Sequence, residues 1–296
     1  MGNSAQIGYG WHRDLPDFRD YSPRSPLPEE SLRKLRLARG ARGGLPPSVD
    51  LREFFGEVFD QDDLCGSAAQ ACVGLIRYFE LRAHGRNAAP SRLFVHQQAL
   101  RLAEAGNAAV DLRTTLKAIV RFGIPPERLW ADQAVNPAAT PDPTLFAYRD
   151  AYQGLQYVRL DACNQSGEQT LQTVKAFLGA GFPAAFGFPV PSSIGGDADI
   201  PYRPTFDDVE GGQAVVAVGY DDRRPGATRG ALLVRNSWGS DWGEEGYGWL
   251  PYGYVQDQLA VDFWTLLKPD WLASGEFRRP RLDASSKRSS PASDRS

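Results

Sequence analysis

Sulfur is scarce in this chain. Three cysteines in 296 residues, Cys65, Cys72 and Cys163, are too few, and odd in number, for a disulfide framework. A reducing cytoplasm is the expected compartment. Histidine is equally sparse, at His12, His84 and His96, so imidazole chemistry has only three places to be. No run of about 18 apolar residues occurs, which leaves no candidate for a membrane-spanning helix. The 33 basic and 36 acidic residues give a net charge of −3, no surplus to draw the chain onto phosphate, and a nucleic-acid partner is not expected. The opening residues lack a basic stretch followed by an apolar one, so no secretory signal is expected. Gln6 stands where a myristoylation signal has Ser or Thr. The glycine pairs Gly195-Gly196 and Gly211-Gly212 lack a strand–loop–helix context, and neither a metal nor a cofactor is expected.

What is present is ordinary for a folded protein: 42% apolar and 23% charged residues can build a core. Residues 1–45 show no helical or strand period and read as an N-terminal extension. It carries a basic stretch, Arg33, Lys34, Arg36, Arg39 and Arg42, read as a solvated helix or linker. Gly43-Gly44-Leu45-Pro46-Pro47 marks the boundary. Apolar spacing predicts helices from Ser67 to about Leu81, from the N-cap Ser91 through Leu102, over Leu112–Phe122 ending at Gly123, over about Thr144–Tyr152, and over Thr170–Gly179. Strands are expected at Gln156–Leu160, Phe182–Pro189, Ala214–Tyr220 and Ala231–Arg235. A helical first part (46–155) followed by a strand-rich second part (156–270) predicts an α+β domain over 46–270, with two lobes and a binding crevice between them. Residues 271–296, rich in Ser, Arg and Pro, are expected to be a disordered tail.

Three segments carry chemical information. They are Asp60-Gln61-Asp62-Asp63-Leu64-Cys65-Gly66-Ser67-Ala68-Ala69, Gly211-Gly212-Gln213-Ala214 leading into Val215–Tyr220, and Asn236-Ser237-Trp238-Gly239-Ser240-Asp241-Trp242-Gly243-Glu244-Glu245-Gly246-Tyr247. In content and order they resemble the papain family of cysteine peptidases, from about Leu45 to Lys268. Gly10-Trp11 and Asp14-Leu15-Pro16-Asp17 resemble bacterial members more loosely. The resemblance implies a papain-like α+β fold with a helical lobe, a β-barrel-like lobe and an interlobe cleft. It also implies a cysteine nucleophile at a helix N-terminus, a histidine base, an asparagine that orients the imidazole, and a glutamine that donates to the oxyanion.

Carried over by position, the oxyanion glutamine is Gln61, the orienting asparagine Asn236 and the shielding indole Trp238. The nucleophile position falls on Ser67, six residues after Gln61, and the base position on Gln213. Sliding the register onto Cys65-Gly66-Ser67 places the nucleophile at Ala68, so neither register supplies a cysteine. A serine hydroxyl needs a base to attack a carbonyl, and a glutamine amide does not titrate near neutrality. The expectation is therefore a catalytically silent homologue, in which Ser67, Gln213 and Asn236 form a neutral hydrogen-bonded patch. Gln61, Gly66, Ser67, Gly212, Gln213 and Trp238 would line a cleft for an extended peptide or protein partner, the protein's own residues 1–45 being one candidate occupant. The function would be binding, scaffolding or regulation. The alternative is a serine-variant or weak peptidase using another base or a displaced Cys65. Asp62 and Asp63 read as an exposed acidic loop and would oppose an oxyanion. His96 is expected to be structural, His84 to face a helix C-terminus, and Cys72 and Cys163 to be buried.

Overall fold

The computed structural model describes residues 10–15, 17–23, 25, 44–61, 66–86, 89–104, 109–131, 139–226 and 228–278. Helix α1 (Ser67–His84) is buried along almost its whole length and ends where Gly85, at φ +66°, turns the chain left-handed and returns its N–H to Leu81. Such a turn favours glycine because it has no Cβ. Helix α2 (Arg92–Leu102) starts where the Ser91 side chain accepts the Phe94 N–H, and α3 (Leu112–Phe122) where Asp111 accepts that of Thr114. Each cap satisfies a donor that the helix itself leaves unpaired. The segment expected as a fourth helix is a 3₁₀ helix, Pro143–Tyr152, and α4 (Gly167–Gly179) begins earlier than expected, on a capping box between Ser166 and Gln169. These elements, apart from α4, form the helical side.

The other side is an antiparallel sheet of β1 (Ser48–Asp50), β2 (Gln156–Arg159), β3 (Ala184–Pro191), β4 (Val209–Asp221), β5 (Ala231–Arg235), β6 (Tyr247–Pro251) and β7 (Val261–Leu267), in the order β2-β7-β3-β4-β5-β6, with β1 on β4. The long β4 runs through its middle and α1 packs against it. That packing brings the first turn of α1 beside Ala214. β1, β6 and β7 lie outside the strands expected from sequence, and so do two short helices, α5 (Gly253–Gln256) and α6 (Pro269–Ala273).

The C-terminal boundary is corrected. Trp271, expected to open the tail, is buried, stacks on Phe79 of α1 at 4.8 Å and donates from Nε1 to Glu80 at 2.8 Å. Phe277 packs on Phe182 at 5.1 Å, under the Arg82 guanidinium. The packed chain thus reaches Phe277, because Trp271 and Phe277 supply apolar area that the Ser/Arg/Pro-rich composition around them hides. Residues 279–296 lie outside the described residues. Cys72 is buried as expected, whereas Cys163 is exposed on the loop after β2. Among the described residues no helix is long and apolar enough to cross a membrane.

Candidate functional site

Ser67 is the first residue of α1, behind the N-cap Gly66, and is fully buried. Its Oγ accepts the Ala214 N–H at 3.1 Å. Gln213, also fully buried, comes from β4, and Asn236 and Ser237 follow the end of β5. Gln61 is fixed from the opposite side, where its N–H donates to the Ser237 carbonyl at 2.8 Å and Asp60 bridges Trp238. The fold thus gathers Gln61, Ser67, Gln213 and Asn236 from four separate stretches of chain.

The side chains form a compact neutral network. Gln213 Nε2 donates toward Asn236 Oδ1 at 2.9 Å, Gln61 Oε1 at 3.0 Å and Ser237 Oγ at 3.3 Å. Ser237 Oγ donates to Gln61 Oε1 at 2.7 Å, and the Ser237 N–H donates to Asn236 Oδ1 at 2.9 Å. Sequence reasoning missed Ser237, although it follows the motif asparagine directly. The expected patch is corrected in one respect: Ser67 stands apart from it, because its oxygen is engaged by the Ala214 N–H rather than by Gln213. Gln213 Oε1 and Asn236 Nδ2 are buried and have no hydrogen-bond partner among the described residues.

The three histidines lie in the arm, at the end of α1 and on α2. His96, on α2, approaches the site, and its Nδ1 accepts the Gly66 N–H at 3.4 Å. Burial lowers its pKa, so the ring stays neutral. No hydrogen bond joins it to Ser67 among the described residues. His84 closes α1 as expected and also meets Asp270, at 3.1 Å. His12 is exposed. Burial pushes the Cys72 thiol well up, which makes it a packing residue. Asp62, Asp63 and Cys65 lie outside the described residues, as does the basic stretch 33–42.

The N-terminal segment crosses this site. The Trp11 N–H donates to the Gly212 carbonyl at 3.1 Å, and the indole is buried against β3 and β4. Gly10 lies so close over the start of α1 that an added Cβ would fall 2.7 Å from Gly66 Cα and 2.8 Å from Ser67 N. The resemblance placed Gly66 and Gly212 in a peptide-binding role, and both positions are met by the chain's own arm. Gly187, in the middle of β3, is the sequence signal for this approach, since a lone glycine in a strand marks close contact.

Beyond Trp11 the arm is tied down by buried polar and charged groups. Asp14 Oδ2 accepts Trp264 Nε1 at 3.0 Å, and the Asp14 N–H donates to Asp262 Oδ2 at 2.7 Å. Asp20 takes a two-pronged bond from Arg113, at 2.8 and 2.6 Å, and the Tyr21 carbonyl accepts the Arg159 N–H at 2.7 Å. Burial first, then the neighbouring carboxyls of Asp111 and Asp262, push Asp14 up to about 9 against the lowering effect of Arg113. Asp262 is raised to about 6, chiefly by burial. Arg159 faces Asp262 at 2.5 Å and Asp161 at 3.2 Å.

Known proteins share the fold that carries this site. The family model of papain family cysteine proteases matches residues 200–260, which hold β4 through β6. An uncharacterized peptidase C1-like protein, L477, of Acanthamoeba polyphaga mimivirus is 27% identical over 277 residues, covering 87% of this chain and 86% of its own. Xylellain, a cysteine protease from Xylella fastidiosa, is 29% identical with a TM-score of 0.70, over 89% of this chain and 97% of that one. Digestive procathepsin L2 proteinase from the larval midgut of Tenebrio molitor shares the fold, with a TM-score of 0.62 at 21% identity over 90% of this chain and 80% of that one. The chain carries a papain-family segment over residues 200–260, and its fold is α+β and papain-like.

Proposed function

We propose that this protein is a non-hydrolytic papain-fold protein whose cleft is filled by its own N-terminal arm, and that it acts by binding peptide or protein in a scaffolding or regulatory role. One observation carries the reading: the amide of Gln213 occupies the base position. It keeps the donor half of an imidazole, toward Asn236 Oδ1 at 2.9 Å, but offers no nitrogen that takes a proton near neutrality. Two further features support it. Gln61 Oε1 is bonded to Gln213 and Ser237, which ties the expected oxyanion glutamine into the network. Ser67 is fully buried and Gly10 of the arm lies over its backbone, an arrangement that works against approach of a substrate carbonyl.

Losing triad members forfeits several orders of magnitude in rate. The full chain is expected to show no turnover of fluorogenic peptides and no labelling of Ser67 or Cys65 by mechanism-based serine or thiol probes, label on the exposed Cys163 being set aside by peptide mapping. The double variant Ser67→Cys, Gln213→His is expected to take up a thiol probe once the arm is displaced. Many-turnover hydrolysis by the unaltered chain, abolished by Ser67→Ala, overturns the reading.

A further inference from the structure

Trp11 and Asp14 are sunk into two sockets while the residues between them face solvent, and Asp20 further along is held by Arg113. His12, Arg13 and Leu15 are exposed, and Phe18 is fully so. The first socket is floored by glycines on paired strands. Gly187 of β3 pairs with Ala214, and Gly212 of β4 with Pro189, so the two glycines lie diagonally across the ladder. A Cβ on Gly187 would fall 2.0 Å from Trp11 Cε2, and one on Gly212 would fall 2.8 Å from Cε3. Glycine weakens a strand, yet both positions lie beneath one indole. The second socket takes the Asp14 carboxyl, fully buried, under the Trp264 indole N–H and near Arg113 at 3.7 Å and Arg159 at 4.0 Å. Its floor residue Asp262 sits at φ +61°, a backbone state that a non-glycine residue adopts at a cost. Main-chain bonds to Gly212 and Asp262 fix the register between the sockets and would accept any extended chain.

We propose that this groove is a sequence-reading peptide site for an extended chain bearing Trp-x-x-Asp, loaded in cis by residues 11–14, and that an external peptide of the same pattern competes with the arm for it. The proposal rests on the arm-filled, non-hydrolytic cleft proposed above. It adds the chemical class of the ligand: an indole and a carboxyl three residues apart, with the residues between them free to vary.

The test uses the full chain with a site-specific protease sequence placed within residues 26–43, so that cutting leaves the arm held only by its contacts. A fluorescein-labelled peptide of residues 8–23 is added and its anisotropy followed. The expected result is saturable exchange. Trp11→Ala or Asp14→Ala in the peptide should weaken it by about tenfold or more, the scale of a buried anchor, and Asp14→Asn should bind closer to the parent peptide than Asp14→Ala does. Equal exchange by the Trp11→Ala and Asp14→Ala peptides overturns the proposal. So does failure of any peptide to replace the cut arm, which would make the arm a fixed part of the fold. Mass spectrometry of the same samples separates the two readings: cleaved peptide sinks the non-hydrolytic function while the anisotropy still reports recognition, and intact peptide without exchange sinks recognition alone.

Discussion

Gln213 carries two amide hydrogens and faces three acceptors, on Asn236, Gln61 and Ser237. The two carbonyl oxygens each have a second donor from Ser237, so removing Gln213 does not strip them entirely. Gln213→Ala should therefore cost about 1–3 kcal/mol, the penalty for weakening buried hydrogen bonds, read as a lower denaturant midpoint. Gln213→His should cost less than Gln213→Ala, because a ring N–H restores the bond to Asn236 Oδ1. Equal losses in the two variants would show that the network, rather than the Asn236 bond, sets the cost. Much of this site was legible in the sequence, because Gln61, Ser67, Gln213 and Asn236 sit in motifs whose spacing reflects fixed elements. The Ser67–Ala214 bond was not, since it depends on how deeply α1 docks on β4. The part taken by Ser237 also appears only once the elements are assembled.

The helix α1 was legible from its apolar spacing, and α2 and α3 also because a cap and a stop are written locally, in Ser91 and Gly123. The strands β6 and β7 were not, because Tyr247–Pro251 and Val261–Leu267 are buried on most positions and so lack the alternation that marks a half-exposed strand. The C-terminal helix α6 was hidden by the polar composition around it, and its largest buried side chain is the Trp271 indole. Trp271→Ala removes the stack on Phe79 and the bond to Glu80 and should destabilise the fold by about 3–5 kcal/mol, measured by chemical denaturation. The arm is the opposite case: it has no periodicity, and its order comes from sockets on other elements. Gly187→Ala places a methyl where the Trp11 ring lies, while alanine is tolerated in a strand. The expected outcome is a displaced arm, seen as faster amide exchange and proteolysis at residues 10–21 with the sheet unchanged. Unaltered protection there would mean that Trp11 is not the anchor.

At the scale of the whole molecule the arm is coupled to pH through a carboxyl that is buried only when docked. Asp14 sits near 9 in place and returns to the ordinary carboxylate range when released, so undocking frees a proton between about pH 4 and 9. A carboxyl whose bound pKa is raised gives stabilisation that is complete below the free value and is lost as pH climbs through the bound value. Docking should therefore weaken with rising pH, by up to tenfold per unit, the limit for one linked proton. The facing groups shape this response: Asp111 and Asp262 favour the protonated form, and Arg113 opposes it. Asp262, raised to about 6, adds the same sign to the stability of the fold below that pH. Asp17 is held low by Arg19, but both belong to the arm and move together, so this pair is not tied to docking. Amide-exchange protection of residues 10–21, measured from pH 5 to 9 and corrected for intrinsic exchange, should fall steadily. Asp14→Asn should flatten that fall without abolishing protection, because the amide can still accept from Trp264. Protection that rises with pH, or a slope unchanged in Asp14→Asn, would mean that Asp14 does not bind its proton in the docked state.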